Sequence, residues 1–182
     1  MPPSIFPKPY ADFVARLRVP SGFLLVAAFA WFDHPSVPSL AFGLPVSAMG
    51  LVLRAWAAGH LAKNQQLTTG GPYAYVRNPL YLGTLVVAGG LAIACHSLGL
   101  AILFVLVFLF IYLPVIMLEE QHLRELFPDF EQYARTVPAL IPSGKRSTSS
   151  SHFSWPLYRK NQEYQALLGF MAGLAWLIWK TI

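Results

Sequence analysis

A series of apolar runs, separated by short polar segments, constrains this chain more than any other feature. Four of them fall at residues 19–32, 40–58, 79–95 and 98–118, and a fifth falls at 167–179. About 20 apolar residues cross the hydrocarbon core of a bilayer, so the fourth run spans unaided and the first must tilt or use flanking residues. The pattern predicts an all-α, polytopic membrane bundle of about five apolar helices.

Composition and charge agree with a membrane protein. Of 182 residues, 55% are hydrophobic and 12% are charged, whereas soluble domains carry about 25% charged residues. The formal net charge is +5, and the basic residues concentrate in polar segments without a stripe of interleaved aromatics. That distribution favours an anionic lipid surface and excludes a nucleic-acid partner. We expect no cleavable signal peptide, since no short apolar region is followed by a small-residue cleavage site.

The positions of lysine and arginine predict the topology. Nearly all lie in the N-terminal segment, the 59–78 loop and the 119–160 segment, and none lies in the turns at 33–38 and 95–97. By the positive-inside preference, the N-terminus and both long polar segments face the cytoplasm. We predict an integral protein of a prokaryotic inner (cytoplasmic) membrane, whose partners are membrane lipids and a lipid-like small molecule.

The domain organisation follows from the same segments. We expect residues 1–182 to form one integral-membrane domain with its core at 40–142. Residues 143–154 are serine-rich and predict a flexible linker, and residues 155–182 predict an amphipathic helix followed by an apolar one. Cys95, the single cysteine, lies in an apolar run. No Cys/His cluster of metal-binding spacing is present, so no metal site is predicted.

The segment Gly70–Gly83, here called the signature loop, differs most from its apolar surroundings. Its letters are GGPYAYVRNPLYLG. Glycine and proline at its start end a helix, whereas Asn78-Pro79 is a typical helix start, with asparagine as N-cap. The N–H groups at that helix start can bind a carboxylate or phosphate. A membrane-surface loop with interfacial tyrosines and a snorkelling arginine explains the same residues equally well.

Acidic and basic residues near the spans form a second group. Glu119 and Glu120 end the fourth run, where adjacent carboxylates are costly unless a cation or N–H donors meet them. In one interpretation they are solvated acids at head-group level. In the other, one carboxylate binds the cation or the ribose of a bound cofactor, and aromatic rings of the loop add cation–π contacts. Arg54 lies in the last turns of a span and is either functional or snorkelling. Helical spacing also predicts Glu120–Arg124 and Glu131–Arg135 ion pairs, and Pro114 predicts a kink.

The signature loop resembles the G-P-Y-x-Y-x-R-[HN]-P-x-Y-x-G motif of a known membrane family. This family contains the methyltransferases related to isoprenylcysteine carboxyl methyltransferase and phosphatidylethanolamine N-methyltransferase. The resemblance continues through Glu119-Glu120, Phe127-Pro128 and the segment 137–142, and covers roughly residues 50–142. Asn78 stands where many members have histidine, Pro128 replaces a glycine, and Ala139 replaces an arginine. Loss of that arginine weakens the case for a prenylcysteine carboxylate as acceptor.

The resemblance implies an enzyme that transfers a methyl group from S-adenosyl-L-methionine to a membrane-embedded or lipid-like acceptor. The implied product of the cofactor is S-adenosyl-L-homocysteine. The implied methylated group is a carboxyl group or a head-group amine. The implied cofactor pocket faces the cytosol, between the loop before the third helix and the segment after the fourth. Its implied residues are Tyr73, Val76, Arg77, Asn78, Pro79, Tyr81, Glu119 and Glu120. Those implied for acceptor positioning and catalysis are Arg54, Lys63, Asn64 and Tyr133.

Two other functions are compatible with the sequence. The sterol reductases, which are NADPH-dependent membrane enzymes, have a comparable R-H-P-x-Y-x-G loop but are generally much longer chains. A non-catalytic membrane protein on the same scaffold would also explain the departures at Asn78 and Ala139. Binding of S-adenosyl-L-homocysteine, of NADPH or of neither distinguishes the three.

Overall fold

The computed structural model describes residues 8–142 and 151–182, and all regular structure within them is helical. The all-α prediction is therefore confirmed for this part of the chain. Residues 143–150 of the predicted linker lie outside it. The helices are α1 Lys8–Phe32, α2 Val37–Ala58, α3 Pro79–Ala94, α4 Leu98–Val107, α5 Leu113–Leu126, α6 Phe130–Thr136, α7 Trp155–Lys160 and α8 Tyr164–Thr181.

Within the described residues, two helical segments are long and apolar enough to cross a bilayer. They are Val37–Ala58, and Leu98–Leu126, in which α4 and α5 are continuous over 29 residues and the most apolar 18-residue stretch has a mean hydropathy of 3.0. Only 22% and 28% of their most apolar windows are buried inside the protein. Most of their apolar surface therefore faces outward, as expected where lipid covers it. The apolar helices Pro20–Phe32 and Pro79–Ala94 are shorter.

Small residues allow α2 and α3 to pack closely. A side chain built at Gly90 of α3 would place its Cβ 2.6 Å from the carbonyl oxygen of Gly43 in α2, and one at Gly50 would lie 2.7 Å from that of Gly83. The Ser47 hydroxyl also donates to a carbonyl oxygen of α3 at 3.1 Å. Helices in lipid associate through such small residues and interhelical hydrogen bonds. The first turns of α3, where the signature loop ends, are thereby fixed against the end of α2.

The distortion predicted at Pro114 takes the form of a π-helical turn, Phe108–Tyr112, between α4 and α5. The N–H of Leu113 donates to the carbonyl oxygen of Phe108, five residues earlier. Because proline has no N–H, Pro114 leaves the carbonyl oxygen of Phe110 without its helical donor. The Tyr10 hydroxyl of α1 donates to that oxygen at 2.9 Å. The broken helical hydrogen bond is thus replaced by a bond between helices.

Helix α8 extends from one end of the bundle to the other. Just before α8, Glu163 pairs with Arg54 near the end of α2. We call this end of the bundle the signature end, because it carries the signature loop. Near its other terminus, Trp176 Nε1 donates to the Asp33 carboxylate at 2.8 Å, and Lys180 binds the same residue. Asp33 follows α1 and is fully buried. Charges at both ends therefore fix α8 along the bundle.

The α2–α3 contact predicts opposite effects for two neighbouring glycines. Gly90→Ala places a Cβ against α2 and should destabilise the protein by about 1–3 kcal/mol through overpacking. Gly89→Ala is the matched control, since nothing lies within 4 Å of its Cβ, and should be neutral or stabilising by up to about 1 kcal/mol. Thermal unfolding in detergent measures both. Equal midpoints for the two variants would contradict the close packing of these helices.

Candidate functional site

The signature loop is joined by main-chain hydrogen bonds to the segment that follows α6. The N–H of Arg77 donates to the carbonyl oxygen of Pro138 at 2.8 Å, and that of Asn78 donates to Ala139 at 3.1 Å. Before them, Gly71–Ala74 forms a 3₁₀ turn. The loop and the segment after the fourth apolar run therefore lie side by side.

The side chain of Arg77 makes the strongest connection in this region. Its Nε and Nη2 donate to the two carboxylate oxygens of Glu120, each at 2.9 Å, and its Nη1 donates to the carbonyl oxygens of Ala134 and Val137 at 2.9 and 2.7 Å. The Asn78 amide donates to the same carboxylate at 2.9 Å. Only 13% of the arginine side chain and 11% of the glutamate side chain is exposed. Buried bidentate pairs of this kind fix both partners in one geometry.

Three expectations change as a result. The snorkelling interpretation of the loop arginine is wrong, because Arg77 points inward. The predicted Glu120–Arg124 and Glu131–Arg135 pairs are wrong as well: Glu120 binds the loop, and Arg124 pairs with Glu131 at 2.7 Å. An exposed i,i+4 pair such as Glu120 with Arg124 is worth only about 0.3–0.5 kcal/mol. The planar guanidinium of Arg77 binds both carboxylate oxygens of Glu120 and is therefore its partner.

Asn78 begins α3 as predicted, but its side chain caps no helical N–H. The amide instead bonds Glu120 and the carbonyl oxygen of Ala139, the latter at 3.2 Å. The neighbouring Val76 and Pro79 are buried and pack the loop rather than present polar groups. Arg77, Asn78 and Glu120 therefore stabilise the loop with their hydrogen-bonding groups directed toward one another.

Glu119 has different surroundings from Glu120. Its side chain is exposed, and its Oε1 accepts a hydrogen bond from the buried Tyr81 hydroxyl at 2.9 Å. The ring of Tyr81 meets that of Tyr112 edge-on, with centroids 6.1 Å apart. A carboxylate beside aromatic rings can stabilise a cation by charge and by cation–π contact. Of the two acids, Glu119 is thus exposed and Glu120 is buried.

Tyr73 and Tyr133 lie together beneath the loop. The Tyr133 hydroxyl donates to the carbonyl oxygen of Tyr73 at 2.7 Å, which gives it a role in holding the loop. Burial raises the pKa of both phenols. For Tyr133, the charge of Arg77 lowers the pKa and that of Glu120 raises it; for Tyr73, the charges of Tyr133, Glu119 and Glu163 add to the increase. Both groups are neutral hydrogen-bond donors near pH 7.

Arg54 binds a partner that the sequence analysis missed. Its Nε and Nη2 donate to the carboxylate of Glu163 at 2.6 and 3.1 Å, and its Nη1 donates to the Thr84 hydroxyl. Only 9% of the Glu163 side chain is exposed. A cation within a span needs a compensating group, so searching for the nearest acid before the last apolar run would have identified this pair. Lys63 and Asn64, in contrast, are exposed in the turn after α2.

The segment 151–163 returns to the signature end and packs over the end of α2. The N–H of Ser154 donates to the carbonyl oxygen of Gly59 at 2.8 Å, and the Asn161 amide donates to that of Ala58 at 2.9 Å. The C-terminal part of the chain therefore contacts the residues that lead directly into the signature loop.

Two open cavities lie outside this cluster. One of about 730 Å³ is lined by Trp155, Pro156 and Arg159, and one of about 680 Å³ lies between α3 and α4 with His96 at one edge. Neither borders Glu119 or Tyr81, so the predicted cofactor pocket is neither of them. Across 8–142 and 151–182, no group of three or more His, Cys, Asp or Glu side chains could hold a metal ion.

Comparison with known proteins decides the family. The model of the phospholipid methyltransferase family matches residues 38–129, a region that contains the signature loop and both acids. The chain belongs to this family. The resemblance found from the sequence motifs is therefore confirmed, and membership indicates a membrane enzyme that transfers methyl groups.

Of three curated relatives, one is named as a methyltransferase and two are named as metal-resistance proteins. The chain is 31% identical to the nickel-cobalt-cadmium resistance protein NccN of Alcaligenes xylosoxydans xylosoxydans, over 95% of this chain and 82% of the relative. It is 36% identical to the cobalt-zinc-cadmium resistance protein CzcN of Cupriavidus metallidurans, over 57% of this chain and 49% of the relative. It is 31% identical to the protein-S-isoprenylcysteine O-methyltransferase of Schizosaccharomyces pombe, over 74% of this chain and 59% of the relative. The chain thus spans about half of the second and three fifths of the third. No solved structure matches significantly.

The Arg77–Glu120 pair predicts a large loss of stability when one partner is removed. Arg77→Met leaves a buried carboxylate with the Asn78 amide alone and should cost about 3–5 kcal/mol. Arg124→Met removes a more exposed pair with Glu131 and should cost at most about 1 kcal/mol. Chemical or thermal unfolding in detergent compares the two variants. A similar, small loss in both would show that the buried pair does not hold the loop.

Proposed function

We propose that this protein transfers a methyl group from S-adenosyl-L-methionine to a lipid-like acceptor at the signature end of the bundle. The observation that carries the proposal is the fixed position of the signature loop against Glu119 and Glu120, within a chain of the methyltransferase family. The acceptor group is a carboxyl or a head-group amine.

Distinct groups match the chemistry of the cofactor. The exposed Glu119 carboxylate and the rings of Tyr81 and Tyr112 suit a sulfonium cation, and the start of α3 offers main-chain N–H groups to a carboxylate. Arg77, Asn78 and Glu120 act indirectly, by holding the loop in place. With Tyr73, Val76 and Pro79 they form the wall of the site.

When bound, the cofactor supplies a methyl group on a positively charged sulfur, open to in-line displacement. The residues of the chain therefore need to align the acceptor and exclude water more than to exchange protons. Tyr133 contributes by fixing the main chain at Tyr73. Lys63 and Asn64, exposed after α2, are proposed to hold the outer part of an acceptor head group.

The same proposal includes the position of the chain in the membrane. The signature end faces the cytoplasm of a prokaryotic cell, because the basic residues concentrate in the segments at that end. The bundle comprises about five apolar helices, of which α8 is the last, and the whole chain acts as one domain with its cofactor pocket facing the cytosol. A lipid-like acceptor then reaches the site from the inner leaflet.

Ligand binding tests this function directly. Calorimetric titration of the purified protein in detergent should show binding of S-adenosyl-L-homocysteine and none of NADPH. Glu119→Gln should weaken binding of S-adenosyl-L-methionine by about tenfold or more, which corresponds to about 1.4 kcal/mol, because it removes the carboxylate charge that is proposed to face the sulfonium. S-adenosyl-L-homocysteine has an uncharged sulfur and should lose less affinity. Tyr81→Phe removes the hydroxyl that donates to Glu119 Oε1 and should weaken S-adenosyl-L-methionine binding less.

The control is Glu131→Gln, which removes an exposed acid from α6 and should leave the affinity unchanged. Unchanged affinity in Glu119→Gln would remove this residue from the cofactor site. Binding of NADPH in place of S-adenosyl-L-homocysteine would support a reductase. Binding of neither would support a non-catalytic protein on the same scaffold.

A further inference from the structure

The turn between α7 and α8 closes the end of α2. The last carbonyl oxygens of a helix have no donor within the helix, and here a residue far along the chain supplies one. The Asn161 amide donates to the carbonyl oxygens of Ala58, which ends α2, and of Leu61, each at 2.9 Å. Glu163 follows two positions later and therefore lies beside Arg54, one helical turn before the end of α2.

Glu163 gives the side chain of Arg54 a direction that it would not take alone. An arginine near the end of a span extends its charged group toward the membrane surface when nothing else binds it. Here both carboxylate oxygens of Glu163 accept from the guanidinium, at 2.6 and 3.1 Å, and only 9% of the glutamate side chain is exposed. Such a bidentate pair fixes the orientation of the guanidinium as well as its position.

The oriented guanidinium lies against the first turns of α3. Nη1 of Arg54 donates to the Thr84 hydroxyl and, more weakly, to the carbonyl oxygen of Leu80 at 3.5 Å. The Thr84 hydroxyl donates to the same carbonyl oxygen at 3.0 Å. Gly83 leaves room for the arginine stem, since an added Cβ there would lie 2.5 Å from Arg54 Cγ. These contacts hold the helical turn that also carries Tyr81.

Tyr81 connects this turn to the proposed cofactor site. It directly follows Leu80, and its hydroxyl donates to Glu119 Oε1 at 2.9 Å. A displacement of the turn would therefore move the tyrosine ring and hydroxyl relative to the exposed carboxylate. A site that acts by alignment loses much of its effect when a group is misplaced by about 1 Å. A continuous series of contacts thus leads from the C-terminal part of the chain to Glu119.

We propose that Glu163 is a positioning residue of the cofactor site: through Arg54 it fixes the turn of α3 that carries Tyr81. The position of that turn sets the distance from the tyrosine hydroxyl to Glu119. Glu163 lies outside the family match at residues 38–129, whereas the residues through which it acts lie within that match. The C-terminal part of this chain therefore completes the site. The inference rests on the proposed function, because it concerns the same cofactor.

Calorimetric titration with S-adenosyl-L-methionine in detergent tests the role of Glu163. Glu163→Gln should weaken binding by about fivefold, and Glu163→Asp, which keeps the charge, should recover part of the loss. Lys180→Met is the matched control, because it breaks the ion pair with Asp33 at the other end of α8. It should lower the midpoint of thermal unfolding and leave the affinity unchanged. An equal loss of affinity in Glu163→Gln and Lys180→Met would show a general loosening of α8 and overturn the inference.

Thr84→Val tests the contact with α3 and does not depend on the folding of Glu163→Gln. It keeps both charges of the Arg54–Glu163 pair and replaces only the hydroxyl that accepts from the guanidinium. It should weaken binding of S-adenosyl-L-methionine by about threefold, because one hydrogen bond that holds the turn is lost. Unchanged affinity in this variant would show that the pair does not act through α3 and would overturn the inference.

A double-mutant cycle identifies the residue through which Glu163 acts. If the effect passes through Tyr81, the Tyr81→Phe substitution should cost less affinity in the Glu163→Gln background than in the natural chain. Losses that simply multiply in the double variant would show that the two residues act independently, and would overturn the inference. Thr84→Val replaces Glu163→Gln in the cycle if the latter does not fold.

The natural chain separates this inference from the proposed function. If it binds S-adenosyl-L-methionine and Glu163→Gln binds equally well, the positioning role fails alone. If the natural chain binds neither S-adenosyl-L-methionine nor S-adenosyl-L-homocysteine, the proposed function fails and the positioning role fails with it.

Discussion

The contact between Arg77 and Glu120 determines the arrangement of the signature end. The loop that carries Arg77 contains three glycines and two prolines, and between its 3₁₀ turn and the start of α3 it has no regular hydrogen bonding to hold it. A buried bidentate pair, extended by two main-chain carbonyl oxygens and the Asn78 amide, supplies that order. Because charged pairs are costly to bury unless every group is satisfied, these five contacts stabilise one loop conformation and disfavour others.

Similar compensation explains the rest of the bundle. Arg54 and Asp33 are charged residues in or next to apolar helices, and each meets its opposite charge at one end of α8, from Glu163 and Lys180. The chain therefore returns to both ends of the bundle with its last helix. The close α2–α3 contact adds a rigid base for the loop, since Gly90 brings the two backbones together. The proposed site lies where these three constraints meet.

Much of this arrangement follows from local patterns in the sequence. Apolar runs predicted the helices, glycine and proline predicted the ends of the signature loop, and Asn78-Pro79 predicted the start of α3. The pairing of charges did not follow, because it depends on distances between residues far apart in the chain. Helical spacing matched Glu120 with Arg124, whereas the fold brings Arg77 to it across 43 positions. Glu163 lies 109 positions from Arg54, so no local motif connects the two residues. Their pairing could be found only by asking which acid compensates the charge of Arg54.

The most direct measurement follows the methyl group itself. Membranes that contain this protein are incubated with S-adenosyl-L-methionine carrying a tritiated methyl group, and the lipid extract is separated and counted. Membranes with the Glu119→Gln variant at equal abundance serve as the reference. The account predicts label in a lipid fraction with the natural chain and a strong reduction with the variant. Label absent from every lipid fraction, or equal in both membranes, would contradict methyl transfer at this site.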